Sequence, residues 1–229
     1  MTELSNKGRF LNEKQIELIV AIMLGVTALF SAAASWISSL HGGNQATNYA
    51  ISNNLAADGN SEYVAGQQLL TLDAMRWNEI NGMLIEERFN PTAGDRFQQR
   101  IQYILVNSAN EKFPDAVEWA IDNSTDEEIN SPFNMEGYVE SYFTTANEQL
   151  AKSKEYLEQG QQDNANGDAY NLVTVIYTVV LFLLGIAGTF KSLPNREIVV
   201  IISLVGFVAA TIYMCTIPLP TGFSLANFF

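Results

Sequence analysis

The chain has 229 residues, 48% of them hydrophobic, with 25 acidic and 12 basic residues and a formal net charge of -13. Nucleic acid and anionic lipid headgroups are both recognised by Lys/Arg clusters, so this balance makes neither an expected partner. One cysteine, Cys215, excludes an internal disulfide, and one histidine, His41, excludes a His-pair metal site.

Residues 1–17 are a short charged flank in which Lys7, Arg9 and Lys14 are balanced by Glu3, Glu13 and Glu17. Residues 18–40 then run for 23 positions without a charge, and two later runs, 169–190 and 198–217, do so for 22 and 20. At about 1.5 Å per helical residue each suffices to cross a hydrocarbon core of roughly 30 Å. Three transmembrane helices are therefore expected. Ala32 and Ala34 in the first run have the spacing of a signal-peptide processing site, but the balanced flank favours a retained helix. Ala28, Ser31, Ala32 and Ser35 form a small-xxx-small pattern suited to close helix packing, within one chain or between chains. Thr27, Ser31 and Ser35 are also the hydroxyls available to line a pore.

Residues 41–168 hold 21 of the acidic and 7 of the basic residues, a net of -14. Lys and Arg of short loops stay on the cytoplasmic side. The N-terminal flank and the hairpin 191–197, with Lys191 and Arg196, are thus placed in the cytoplasm, and 41–168 and the tail 218–229 outside it, in a plasma or inner membrane.

Within 41–168, Ala46, Tyr49, Ala50, Asn53, Ala56 and Ala57 recur at helical spacing, and Asp58-Gly59-Asn60 predicts a helix end. A second amphipathic helix is expected along Tyr63, Gln67, Leu70, Ala74, Trp77, Asn81 and Leu84, stopped by Asn90-Pro91. Thr92 and Asp95 have capping-box spacing before Phe97, Ile101, Ile104 and Leu105. Pro114 suits the first turn of a short helix with Val117 and Trp119, and 123–133 reads as loop. From Asn134 a stripe of Met135, Tyr138, Tyr142, Ala146, Leu150, Ser153, Leu157, Gly160, Asn164 and Gly167 keeps helical phase into the second membrane run. One helix from Asn134 to Phe190, about 85 Å long at 1.5 Å per residue, is favoured over a flexible linker at 160–168. The glycines of this tract cost roughly 1 kcal/mol each, tolerable where a neighbouring backbone approaches closely. The expected fold is all-α: three transmembrane helices, with an extracytoplasmic acidic helical bundle continuous with the first two.

Trp36, the stretch Gln45 to Tyr49, DAMRWNEI with Asp73, EERFNP with Arg88 and Phe89, FPDAVEWA, SPFNMEGY and GDAYNLVTVIYTVVLFLLGIAG carry a resemblance over roughly residues 36–190. The chain resembles a bacterial family of uncharacterised three-transmembrane-helix proteins with an extracytoplasmic helical domain. The resemblance implies an architecture and no catalytic residue.

No poised chemistry stands out. Glu79, Glu86 and Glu87 share a helix, but a di-iron bundle needs two Glu-x-x-His motifs and the chain has one His. No phosphate-binding Gly-rich loop ending in Lys-Ser/Thr is present, and the membrane runs carry no ionisable carboxylate, Lys, Arg or His for a proton relay. Neither catalytic residues nor cofactors are expected. Gly185 and Gly188 in the second run add small positions for packing. The reading is a non-enzymatic membrane protein in the bilayer, a homo-oligomer or accessory subunit of a membrane complex. A passive channel formed by several copies, and a sensor working through a separate output partner, are the alternatives.

Overall fold

The computed structural model describes residues 13–125, 128–190 and 193–224. It is all-helical, with no strand among them. The helices are α1 (Glu13–Phe89), α2 (Gly94–Val106), α3 (Phe113–Asp122), α4 (Tyr138–Ser141), α5 (Thr144–Ala187) and α6 (Leu193–Thr216). Three of them, α1, α5 and α6, are long and apolar enough to cross a membrane, with mean hydropathy above 2 over their most apolar 18-residue windows. The flank with Lys7 and Arg9, Lys191 of the hairpin and the last residues of the tail, 225–229, lie outside the described residues.

The chain divides into two compact units. Unit 1 comprises residues up to 50 and from 156 onward. It packs α1, α5 and α6 around an aromatic triad: Phe30 meets Tyr177 and Phe207 at 6.1 and 5.4 Å, and Tyr177 meets Phe207 at 5.6 Å. Offset and edge-on rings of this kind add to packing beyond their area. The Thr211 hydroxyl is committed to the Phe207 carbonyl (2.8 Å), so the Tyr177 hydroxyl donates to Thr211 (2.9 Å). Val20, Val180, Leu184, Ala187 and Val200 continue the buried layer.

Unit 2, residues 51–155, packs the later half of α1 and the start of α5 with α2, α3 and α4. Its core is Trp77, Ile80, Met83, Ile101, Phe113, Ala116, Val117, Ala120 and Tyr138. Pro114 sits in the first turn of α3, where its missing N–H is no loss.

Several sequence expectations are corrected. Asp58-Gly59-Asn60 does not end a helix: α1 runs through it, and Gly59 is buried where a Cβ would meet Leu150 at 2.9 Å and the Ala146 carbonyl at 3.2 Å. Close approach offsets the propensity penalty there. The helix expected from Asn134 is broken near its start. A 3-10 turn spans Pro132–Asn134, Met135 is extended and Gly137 has φ 75°, so the long helix begins at Thr144 and ends at Ala187. Left-handed backbone at Gly137 is readily adopted only without a Cβ. From Thr144 onward the Gly-, Asn- and Gln-rich tract and the apolar run after it form one uninterrupted helix. The Thr92–Asp95 capping box is absent, because Pro91 opens a 3-10 turn and the Thr92 hydroxyl donates to Asn90 instead, at 2.8 Å.

The phase of α1 also differs from the expected stripe. Tyr63 and Gln67 are exposed, while Ser52, Gly59, Gly66, Asp73 and Ile80, seven residues apart, are buried in unit 2. Val20, Thr27, Ala34 and His41 repeat the same seven-residue step in unit 1. On α5 the buried positions are Ala146 and Ser153 in unit 2, then Gly160, Asp163, Gly167, Tyr170, Val173, Tyr177, Val180, Leu184 and Ala187 in unit 1, which include the seven-residue series Gly160–Gly167 and Asp163–Tyr170–Tyr177–Leu184. A seven-residue repeat is the signature of helices wound along a common seam.

Candidate functional site

Three constellations stand apart from ordinary packing. The first is on the N-terminal, apolar part of α1 and the turns that follow it. Ala21, Gly25, Ala28, Ala32, Ser35, Ser39, Gly42 and Ala46 alternate steps of four and three residues, and all are exposed. Gly25 and Gly42 have no atom within 4 Å of where a Cβ would stand. The neighbouring exposed residues are bulky, with Leu18, Ile22 and Leu29 between 56% and 72% exposed. Along residues 18–29 the small positions thus run beside large apolar side chains, and from Ala32 to Ala46 every exposed residue, Ala33 and Gly43 included, is small. Of the sequence-predicted positions, Ala28, Ala32 and Ser35 lie in it and Ser31 is half-buried beside it. Thr27 lies elsewhere, fully buried among the chain's own helices. On α5, Gly185 and Gly188 are exposed; a Cβ at Gly185 would touch nothing, and one at Gly188 only the Gly185 carbonyl, at 3.5 Å.

The second constellation is in unit 2, centred on Asp73, which is 1% exposed. Arg76 donates to its Oδ1 at 2.8 Å, and Asn110 Nδ2 and the Tyr142 hydroxyl donate to its Oδ2 at 3.2 and 2.6 Å. Tyr138 and Tyr142 are hydroxyl to hydroxyl in a short contact. Tyr142 has a single proton, and the carboxylate is the stronger acceptor for it. Tyr142 therefore donates to Asp73, and the Tyr138 proton is shared between the Tyr142 oxygen and Asp73 Oδ2, the latter at 3.3 Å. The sequence shows five separate residues here; the turn at Gly137, at the start of α4, leads into the segment that brings Tyr138 and Tyr142 to Asp73.

Burial first, then hydrogen bonding to Tyr142 and the charge of Asp73, raises the Tyr138 pKa above the ordinary tyrosine range. Burial and the hydrogen bond to Asp73 raise that of Tyr142. The folded state therefore keeps protons that the unfolded chain releases above about pH 10. The stabilisation is fully present below that pH and is lost as pH rises beyond it. Alkaline titration of unfolding should show stability falling by up to about 1.4 kcal/mol per pH unit for each tyrosine. Tyr138→Phe with Tyr142→Phe should flatten this slope, and an unchanged slope would refute the assignment.

The third constellation surrounds His41 in unit 1. Its Nδ1 lies 2.8 Å from Asp163 Oδ1 and its Nε2 lies 3.1 Å from the Pro218 carbonyl. Asn48 donates to Asp163 Oδ2 at 3.2 Å, and Ser38 donates to the Gly167 carbonyl at 2.9 Å. Gly160 and Gly167 make room: a Cβ would meet the Tyr49 ring at 2.5 Å in the first case and His41 Cβ at 3.4 Å in the second. The seven-residue step from Val20 to His41 is the one signal in the sequence for this buried pair. A search for amphipathic stripes at a period of 3.6 misses it, because the seam is made of small and polar residues.

Among the described residues no cluster of three or more His, Cys, Asp or Glu could hold a metal ion. Glu79 pairs with Arg100 at 2.6 Å and Glu87 accepts from Gln98 at 3.0 Å, both exposed surface contacts of modest worth. No family model, curated protein or solved structure matches the chain.

Proposed function

We propose that this is a non-enzymatic, oligomeric membrane protein, an assembly or accessory subunit that associates with a second copy through the small-residue groove of α1. The observation that carries the reading is the exposed row of small residues from Ala21 to Ala46, flanked in its first half by the large Leu18, Ile22, Val26 and Leu29. In lipid, water expulsion does not drive helices together; backbone approach and van der Waals contact do, and small residues permit both. Filling the groove with lipid chains leaves imperfect contact, whereas a like groove on another α1 matches it. The resemblance to a three-transmembrane-helix bacterial family is consistent with this architecture, and residues 41–168 would then present the acidic helical unit on the extracytoplasmic side, available to partners.

Single cysteines test the reading in a Cys215→Ser background in native membranes. Ala28→Cys and Ala32→Cys should form oxidative dimers, while Ala34→Cys, buried within its own chain, should not. Ala32→Leu should lower the dimer fraction about tenfold or more, since overpacking by 1–3 kcal/mol acts at the contact. Equal cross-linking at all three positions, or none, would overturn the proposal. A ring of several copies with measurable conductance would favour the channel instead.

A further inference from the structure

Residues 217–223 leave the end of α6 as a strap fastened to α1 and α5 of unit 1. The Tyr170 hydroxyl donates to the Ile217 carbonyl at 3.3 Å, and Asn44 Nδ2 donates to the Thr221 carbonyl at 3.2 Å. The Phe223 ring packs on Trp36 with centroids 5.5 Å apart. Between these lies the His41–Pro218 contact, at a side chain only 1% exposed.

The proton count at His41 follows from its partners. A carbonyl oxygen only accepts a hydrogen bond, and so does a carboxylate. Both ring nitrogens must therefore donate, and no neutral imidazole tautomer does so. The pair holds one proton more than a neutral ring beside an ionised Asp163. Asn48 Nδ2 donates to the other carboxylate oxygen, Asp163 Oδ2, at 3.2 Å. With that proton on the ring, His41 is the cation and Asp163 its buried counter-charge.

We propose that His41 is a proton-operated clamp on the 217–223 strap. This goes beyond the oligomer reading and does not depend on it. When the ring loses a proton, the one facing the carboxylate at 2.8 Å is retained. The bare Nε2 lone pair then faces the Pro218 carbonyl lone pair, and an attractive contact becomes repulsive. The strap is fastened while the pair holds its extra proton and loosens when that proton is lost. The titratable groups facing the ring are both on α5: Asp163, and Tyr170, whose ring stacks on His41 at 5.8 Å. The strap offers backbone carbonyls, and α1 contributes the uncharged Asn44 and Asn48.

His41 is the sole histidine of the chain, so imidazole nitrogen resonances of full-length protein labelled with ¹⁵N-histidine, in lipid nanodiscs, report on it alone. A spin label at Thr221→Cys in the Cys215→Ser background reports the strap. Both nitrogens should be protonated while the label is immobile. The mobile fraction should rise about tenfold or more over the same pH interval in which the ring deprotonates, as expected for losing a charged hydrogen bond. Asp163→Asn should move release to lower pH, and His41→Gln should leave the strap mobile throughout. A neutral ring beside an immobile strap overturns the proposal, as does a pH response unchanged in His41→Gln. Where a variant does not fold, the wild-type resonances decide.

Discussion

Gly66→Ala should destabilise unit 2 by about 3 kcal/mol, while Gly82→Ala, on the same helix, should stabilise it by about 0.5–1 kcal/mol. The two substitutions add the same methyl group to the same helix. At Gly82 a Cβ meets nothing within 4 Å, so only the gain in helix propensity remains. At Gly66 it would stand 2.3 Å from the Tyr142 carbonyl oxygen and 3.2 Å from its carbonyl carbon. Backbone cannot rotate aside as a side chain can, and Tyr142 is itself tied to Asp73. Relief requires separating α1 from the chain just before α5, which loosens the hydroxyl relay as well. Gly59→Ala is the graded control, because its nearest obstacle is the flexible Leu150 side chain at 2.9 Å; about 1 kcal/mol is expected there. Thermal unfolding followed by circular dichroism, with limited proteolysis to locate the loss in unit 2, checks the series. Equal effects at Gly66 and Gly82 would show that close approach does not hold α1 at this point.

Asp73→Ala is expected to cost about 3–5 kcal/mol, because a carboxylate 1% exposed accepts several hydrogen bonds, worth about 1.5–3 kcal/mol each where a charge assists them. Arg76 would lose its 2.8 Å partner, Asn110 a 3.2 Å acceptor, and the Tyr142 hydroxyl the acceptor at the end of its relay. Asp73→Asn keeps one acceptor oxygen without the charge and should cost roughly half as much. Tyr142→Phe removes one charge-assisted hydrogen bond, worth about 1.5–3 kcal/mol. Because these residues share one network, Asp73→Ala combined with Tyr142→Phe should cost less than the sum of the two. Strict additivity in that cycle would mean that Asp73 and Tyr142 do not act together. An Asp73→Ala protein within about 1 kcal/mol of wild type, less than one charge-assisted hydrogen bond is worth, would mean that the buried carboxylate is no keystone of unit 2.

The membrane runs are the most legible part of the sequence, because charge-free runs of 20 to 23 residues match the thickness of a bilayer and exceed what a buried core helix needs. The stop at Asn90-Pro91 and Pro114 opening α3 are equally legible, since proline restricts the backbone locally. Legibility fails where the deciding contact is distant in sequence. Asp58-Gly59-Asn60 has the local chemistry of a helix end, and only Leu150 and Ala146 packed against Gly59 show why the helix continues. The break at Gly137 is masked by an apolar stripe that keeps helical spacing on both sides of it. Of the candidate site, the small residues Ala28, Ala32 and Ser35 can be named from spacing alone. Which of them face outward cannot, since Thr27, one residue before Ala28, is fully buried. His41 and Asp163 are 122 residues apart, and nothing local marks either as a partner.

Small residues recur at steps of seven or fourteen on both long helices, at Gly59 and Gly66 on α1 and at Ala146, Gly160 and Gly167 on α5, like near-identical rungs of a ladder. Sliding one helix by a whole heptad would set small group against small group again, at little cost in contact. Alignment must then come from the rungs that differ. In unit 2 Ser52 and Ser153 exchange hydrogen bonds to each other's carbonyls, both at 2.8 Å. In unit 1 the His41–Asp163 pair would leave a buried charge alone after any such slip. The buried polar groups of this protein thus act as register pins, trading some stability for a single alignment of its two longest helices within each unit.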